Sequence, residues 1–329
     1  MNQQMKNMGD LVSIVVPVYN EASVISSFHE RLIKVLSGIS EKSEIIYIND
    51  GSTDESSDIL FHLTDKDPQV AYLDLSRNFG KEVAMTAGID HSLGEAVIII
   101  DADLQDPPEL IPELIKKWHE GYDVVNARRI SRSGETWLKK LTAHLFYRLI
   151  KRMANVNIPE DTGDYRLLNR KAVNALCSLR ERNRFMKGLF AWIGFKCTSV
   201  EYHRNMRHAG VSKWGYWRLW NLAIEGFTSF TTAPLKLATY LGVVTAFSSF
   251  LYGVYFIART LLLGNPVPGY PSLIVIVLFI GGIQLMSIGV IGEYLGRIFD
   301  ETKQRPLYLV KDYTPSVYGQ VETKKEEVK

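Results

Sequence analysis

Residues 96–118 read AVIIIDADLQDPPELIPELIKKW. The apolar run Ala96–Ile100 has the length and branched side chains of a buried strand, and it runs straight into Asp101 and Asp103. Pro107 then opens a helix predicted over Pro107–Trp118, since proline is tolerated in a first turn whose N–H groups have no helical partner. The alternation extends in both directions. Upstream lie a strand over Leu11–Val18, a helix over Glu21–Leu36, a strand over Glu44–Ile48, a strand over Val70–Leu75 and a helix over Gly80–Leu93. Downstream, Asp123–Ala127 reads as a further strand. Single helices between successive strands predict an α/β fold: a Rossmann-like, mainly parallel sheet with helices on both faces. Such sheets bind ligands beyond the carboxyl ends of their strands.

Those ends are polar and acidic. The first runs Pro17-Val18-Tyr19-Asn20-Glu21, the second Asn49-Asp50-Gly51-Ser52, the fourth Asp101-Ala102-Asp103-Leu104-Gln105. No GxGxxG follows the first strand and no GxxxxGK[ST] occurs, which removes the main support for a dinucleotide or P-loop site. Ser52, Thr53 and Asp54 supply caps for a following helix. Asp101 and Asp103, at i and i+2, point the same way if the strand persists. They then form a hard oxygen site for Mg2+ or Mn2+ that phosphate oxygens would complete.

The 329 residues are 46% hydrophobic and 22% charged with a net charge of +2, yet from Leu237 to Glu293 the only charged side chains are Arg259 and Glu293. The first 232 residues balance 29 basic against 29 acidic side chains, which argues against nucleic-acid binding. The segregation excludes a disordered chain, a purely soluble globule and a multi-span transporter. Cys177 and Cys197 form no CxxC and no apolar leader precedes Asp10, so both thiols are expected reduced and cytosolic. His203 and His208, five apart, suit no common metal-ligand pair.

The segments VSIVVPVYNE (12–21), IYINDGSTD (46–54), LSRNFGKEVAMTAGID (75–90), IDADLQDPPELI (100–111), DTGDYRLLNR (161–170), RFMKGLFAWIGF (184–195) and RHAGVSKW (207–214) resemble glycosyltransferase family 2, whose members have the GT-A fold. Residues 11 to 312 are similar to polyprenyl-phosphate glycosyltransferases, most closely the bactoprenol glucosyltransferases, with dolichyl-phosphate mannose synthases more distant. Asn49 departs from the family's usual first Asp of DDGS, and the QxxRW motif of processive members is missing, which favours transfer of a single sugar.

The resemblance implies inverting transfer of one hexose, glucose from UDP-glucose, to undecaprenyl or another polyprenyl phosphate, giving a β-linked lipid-phosphate sugar for cell-envelope polysaccharide modification. Alternative donors are GDP-mannose or a UDP-amino-arabinose derivative; a non-catalytic sugar-nucleotide-binding protein is the rival of another class. Asp103 would ligate the metal, and Asp101 would support it or bind ribose. Gln105 and Ala102 would lie beside the donor, and Pro17, Tyr19, Glu21 and Asp50 match nucleoside-binding positions. Asp164 matches the position of the catalytic carboxylate, with Asp161 its competitor. Arg128, Arg129, Arg207 and Lys213 are expected to meet phosphate, because the acceptor is an anion that needs cations to dock. The product would pass to a flippase and a second glycosyltransferase.

The C-terminal third implies a membrane. After a polar lead (1–10) and the catalytic domain (11–212), an amphipathic helix rich in tryptophan is expected over 213–231, with a second at Trp137–Met153. Spans over 234–263 and 272–296 flank a turn at 264–271, and a tail covers 297–329. Basic residues on the outer flanks and none in the turn place both termini and the catalytic domain on the cytoplasmic side of the inner membrane. Gly292 and Gly296 form a GxxxG that favours packing into a homo-oligomer. Arg305–Tyr313 alternates apolar and polar residues and is expected to add a strand to a neighbouring subunit.

Overall fold

A computed structural model describes residues 11–130, 162–182, 184–202, 233–263 and 269–320. In chain order the elements are β1 (Leu11–Val18), α1 (Ile25–Leu36), β2 (Lys42–Asn49), α2 (Ser56–Lys66), β3 (Val70–Leu75), α3 (Lys81–Asp90), β4 (Ala96–Ile99) and α4 (Ile111–His119). They continue with β5 (Val124–Arg129), β6 (Thr162–Asn169), α5 (Arg170–Ser178), α6 (Met186–Trp192), β7 (Cys197–Tyr202), α7 (Ala233–Leu263), α8 (Tyr270–Thr302) and β8 (Val310–Thr314). The expected amphipathic helices, with Arg207 and Lys213, lie outside the described residues.

The strands form one eight-stranded sheet in the order β7-β5-β6-β4-β1-β2-β3-β8. β4, β1, β2 and β3 run parallel, as does the β5–β7 pair, while β6 and β8 are antiparallel to their neighbours. The apolar run of β1 explains its central place: Val12, Ile14, Val16 and Val18 pack on one face with α1, α2 and α4. Val15 packs on the other face with α3, α5 and α6. A strand apolar on both faces can be covered only by helices on both sides.

Three expectations change. β4 ends at Ile99, so Asp101 and Asp103 sit in a turn and not on a continuing strand. The turn is forced by Leu104, whose φ of 59° reverses the chain and lets Gln105 N–H donate to Asp103 Oδ1 at 3.1 Å. The helix expected from Glu21 starts at Ile25, because the preceding loop bonds elsewhere. Asn20 N–H donates to Ser52 Oγ (3.0 Å), Glu21 N–H to Ser56 Oγ (3.0 Å) and Ala22 N–H to Asp54 Oδ2 (3.2 Å). The tail strand β8 pairs antiparallel with β3 of its own sheet instead of with a neighbour. Lys311 Nζ donates to Asp74 Oδ2 at 2.8 Å and Ser316 Oγ to the buried Glu44 at 3.2 Å, which fix the tail there.

The helices α7 and α8 contain apolar stretches of 22 and 28 residues, long enough to cross a bilayer. Their large side chains, such as Phe250, Leu261 and Leu285, are exposed. Glu301 near the end of α8 accepts the Arg182 N–H at 2.7 Å, which ties the hairpin to the segment between α5 and α6.

Candidate active site

Site construction starts at Asp50. Its two carboxylate oxygens accept N–H bonds from Phe79 (2.7 Å) and Gly80 (3.0 Å), and burial pushes its pKa up despite them. Gly51 is required beside it: at φ +64° any added Cβ would lie 2.5 Å from the Arg77–Asn78 backbone. These contacts fix the entry of α3 and so set its first residue, Lys81, at the carboxyl end of the sheet. Asn49 Nδ2 donates to Asp74 Oδ1 at 2.7 Å, a bond an ionised aspartate could not make. The departure at position 49 therefore has a partner.

Lys81 is the hub. Its Nζ lies 2.7 Å from the Asp101 carboxylate and 2.6 Å from Asp164 Oδ2. Burial disfavours its charge, but the two carboxylates outweigh burial and raise its pKa. Asp164 feels the converse: burial favours its neutral form, yet Lys81, with Lys187 and Arg166 behind it, holds it well below the usual carboxylate range. Next to Lys81, Glu82 is pushed up to about 7 by burial and by the Asp164 charge, and accepts the Met186 N–H at 3.1 Å. The fully buried Arg166 is lowered to about 10 by burial. Its guanidinium lies 3.8 Å over the Phe190 ring. One oxygen of Asp164, Oδ1, is buried and has no partner. The cluster thus presents an ionised carboxylate with free acceptor capacity, oriented by a lysine that also holds the Asp101 carboxylate.

The profile of Glycosyl transferase family 2 matches residues 13–177, half of the chain, and that of the GtrB C-terminal hairpin matches residues 233–298. The chain belongs to glycosyl transferase family 2. A glycosyltransferase of Synechocystis, named as uncharacterized, is 54% identical over 92% of this chain and 95% of its own. The bactoprenol glucosyl transferase of Shigella phage SfX is 50% identical over 91% of this chain and 98% of its own. Among solved structures, glucosyl-3-phosphoglycerate synthase from Mycobacterium tuberculosis is 19% identical, with a TM-score of 0.45 over 68% of this chain and 82% of that one.

In this family 2 glycosyltransferase the sheet and its two helical layers form a GT-A domain. The sequence-predicted site residues divide into three groups. Asp101 and Asp164 meet through Lys81, with Asp103 two residues along the same turn. Pro17 and Glu21 are half-buried and Tyr19 exposed at the end of β1, where the loops after β1 and β2 are laced together. Arg128 and Arg129, adjacent in sequence, point to opposite faces of β5. Arg128 is half-exposed, 3.6 Å from Glu201. Arg129 turns inward: its Nε donates to Tyr202 Oη at 3.0 Å and its Nη2 lies 3.5 Å from Asp106 Oδ1, which also accepts from Tyr202. An added Cβ at Gly163 would sit 2.9 Å from that guanidinium. Ala102 and Gln105 are buried beneath the Asp103 turn.

Sequence reasoning missed Lys81, Glu82, Arg166 and Lys187 as site residues. All lie in segments that carry the family resemblance, but none stands at the carboxyl end of a parallel strand. For a metal, the described residues hold no group of three or more His, Cys, Asp or Glu side chains. Among the described residues, Asp101 and Asp103 offer two carboxylates, hard oxygens on one turn. That set fits a divalent ion shared with a diphosphate and not a closed all-protein site.

Proposed function

We propose that the chain transfers a single glucose from UDP-glucose to a polyprenyl phosphate such as undecaprenyl phosphate, with inversion to a β-linked product, at the cytoplasmic membrane face. The observation that carries the reading is the 50% identity with the bactoprenol glucosyl transferase over more than nine-tenths of both chains. The site chemistry supports it. The acceptor phosphate oxygen attacks the anomeric carbon as its bond to UDP breaks, so one displacement inverts that centre. A Mg2+ or Mn2+ ion held by Asp103 and Asp101 would supply charge to the departing diphosphate. Asp164, ionised at neutral pH, is placed to take a proton from a singly protonated phosphate or to orient it. Lys81 holds Asp164 in position and keeps two carboxylates from repelling the incoming anion. Arg128 serves the acceptor from the half-exposed end of β5, together with Arg207 and Lys213. The apolar hairpin keeps this site beside the lipid, with both termini on the cytoplasmic side.

The test incubates the full chain in detergent with polyprenyl phosphate and labelled UDP-glucose, GDP-mannose or a UDP-amino-arabinose donor, with and without EDTA. Lipid-extractable label from UDP-glucose, lost with EDTA and with Asp103→Ala, is expected. No labelled lipid from any donor overturns the reaction; label from GDP-mannose alone overturns the sugar.

A further inference from the structure

Beyond Asp164, on the same face of the sheet, a pocket of about 150 Å³ opens between α6 and strands β5, β6 and β7. Asn126, Arg166, Lys187, Phe190 and Cys197 are among its lining residues. It exceeds the roughly 30 Å³ that one water occupies in the liquid, so it admits a polyatomic group.

The pocket wall has donors short of an anion. Arg166 is 3% exposed, and its bonds go to carbonyls: Nε to Asp164 O at 3.3 Å and Nη2 to Gly163 O at 2.6 Å. Lys187 makes no hydrogen bond or ion pair among the described residues. Burial works against its charge; Asp164, already bonded to Lys81, and Glu82 favour that charge, while Arg166, Lys81 and Arg129 oppose it. Among the described residues this half-buried ammonium has no directly paired counter-ion, and the two carboxylates nearest in charge are each engaged elsewhere.

The same region has acceptors short of a hydrogen. Asn126 is 2% exposed and its Oδ1 is buried without a partner, as is Asp164 Oδ1. The amide cannot be turned to cure this. Asn126 Nδ2 faces Thr198 O at 3.5 Å and Cys197 Sγ at 3.4 Å, and a flip would set two carbonyl oxygens against each other.

One small group satisfies both shortages. A phosphate monoester near neutrality exchanges between one and two charges, and in its singly protonated form carries anionic oxygens and one O–H. We propose that this pocket seats the phosphate monoester of the acceptor, its anionic oxygens on Lys187 and Arg166 and its hydroxyl on the orphaned oxygen of Asn126. The assignment to the lipid rests on the proposed function; the pocket's taste for a phosphate monoester does not.

Cys197 provides a readout independent of turnover. In a Cys177→Ser background it is the sole thiol, and its alkylation by iodoacetamide reports occupancy. Polyprenyl phosphate in detergent should slow labelling, whereas uncharged polyprenol should not. Lys187→Met and Asn126→Ala should abolish the protection and Lys187→Arg should retain most of it. In transfer assays Lys187→Met should raise the acceptor KM about tenfold, with the donor KM unchanged, as expected for losing one charge-assisted bond. Protection by inorganic phosphate as strong as by the lipid would overturn the lipid assignment. Labelling that neither phosphate slows, in an enzyme that still glucosylates lipid, would overturn the pocket and leave the reaction standing. Protection without transfer from any donor would sink the reaction and leave the pocket.

Discussion

Two charged clusters flank the same strands, β5 and β6, and they are built differently. On the α4 face, the side chains of Arg129, Asp106 and Tyr202 bond to one another, and among the described residues none of their buried polar atoms is orphaned. On the α3 and α6 face, Lys81, Asp101, Asp164, Arg166 and Lys187 again set carboxylates against cations, yet Asp164 Oδ1 and the nearby Asn126 Oδ1 have no partner among the described residues. Burying polar groups unsatisfied costs free energy, so each orphaned oxygen calls for a partner, which a ligand or an ordered water can supply. The first cluster is closed and ties β7 to β5; the second keeps open acceptor capacity, as the proposed function requires. Arg128 and Arg129 show how little sequence separation says about this division.

The largest effect that would break the comparison is at Asp164. Asp164→Asn keeps the shape and removes the charge. Transfer should fall on the order of 10³-fold, the scale of a lost proton-transfer group, with the donor still bound. Calorimetric titration with UDP-glucose checks the binding, and labelled lipid the rate. Lys81→Met should cost on the order of 10²-fold, since it loosens Asp164 and uncovers Asp101 to the incoming anion. Full activity in either variant would mean that the open cluster is structural.

The closed cluster should answer in the opposite currency. Arg129→Met leaves the buried Asp106 carboxylate with Tyr202 alone, and about 2–3 kcal/mol of stability should go with it, read as a lower unfolding midpoint. Turnover per folded molecule should stay near wild type. Its neighbour reverses the pattern. Arg128→Ala removes only a loose, exposed pair, so the unfolding midpoint should not move measurably. The acceptor KM should rise about tenfold.

These contrasts mark where the sequence was readable. The apolar runs of β1 and β4 and the helical spacing of α1 announce a doubly covered sheet, because a strand buried on both faces has no other home. Asp101, Asp103 and Asp164 stand in segments that carry the family resemblance. Less legible was anything decided by which way a side chain turns. Lys81 opens a helix and reads as an ordinary first-turn residue until Asp50 fixes the loop before it. The division of Arg128 from Arg129 depends on the pleat of β5, and the orphaned oxygen of Asn126 on Thr198, 72 positions away. The strand β8 was visible as alternation, but alternation cannot say whose sheet edge it meets.

The smallest expected effect is also the most specific to the open cluster. Glu82 is raised from its ordinary 4.5 to about 7 by burial and by the Asp164 charge. Between those pH values the folded state holds the proton more tightly than the unfolded chain. Its contribution to stability is therefore complete below about 4.5 and is lost as pH rises through about 7. Asp164 has the opposite sign: held low by Lys81, it contributes stability above the usual carboxylate range and loses it in acid. Glu82→Gln preserves an oxygen for the Met186 N–H and removes the charge. The variant should thus gain on wild type as pH is raised from 5 to 8, with unfolding midpoints of the two proteins compared at each pH. A difference independent of pH would mean that Glu82 does not share the Asp164 field, and the open cluster would end at Lys81.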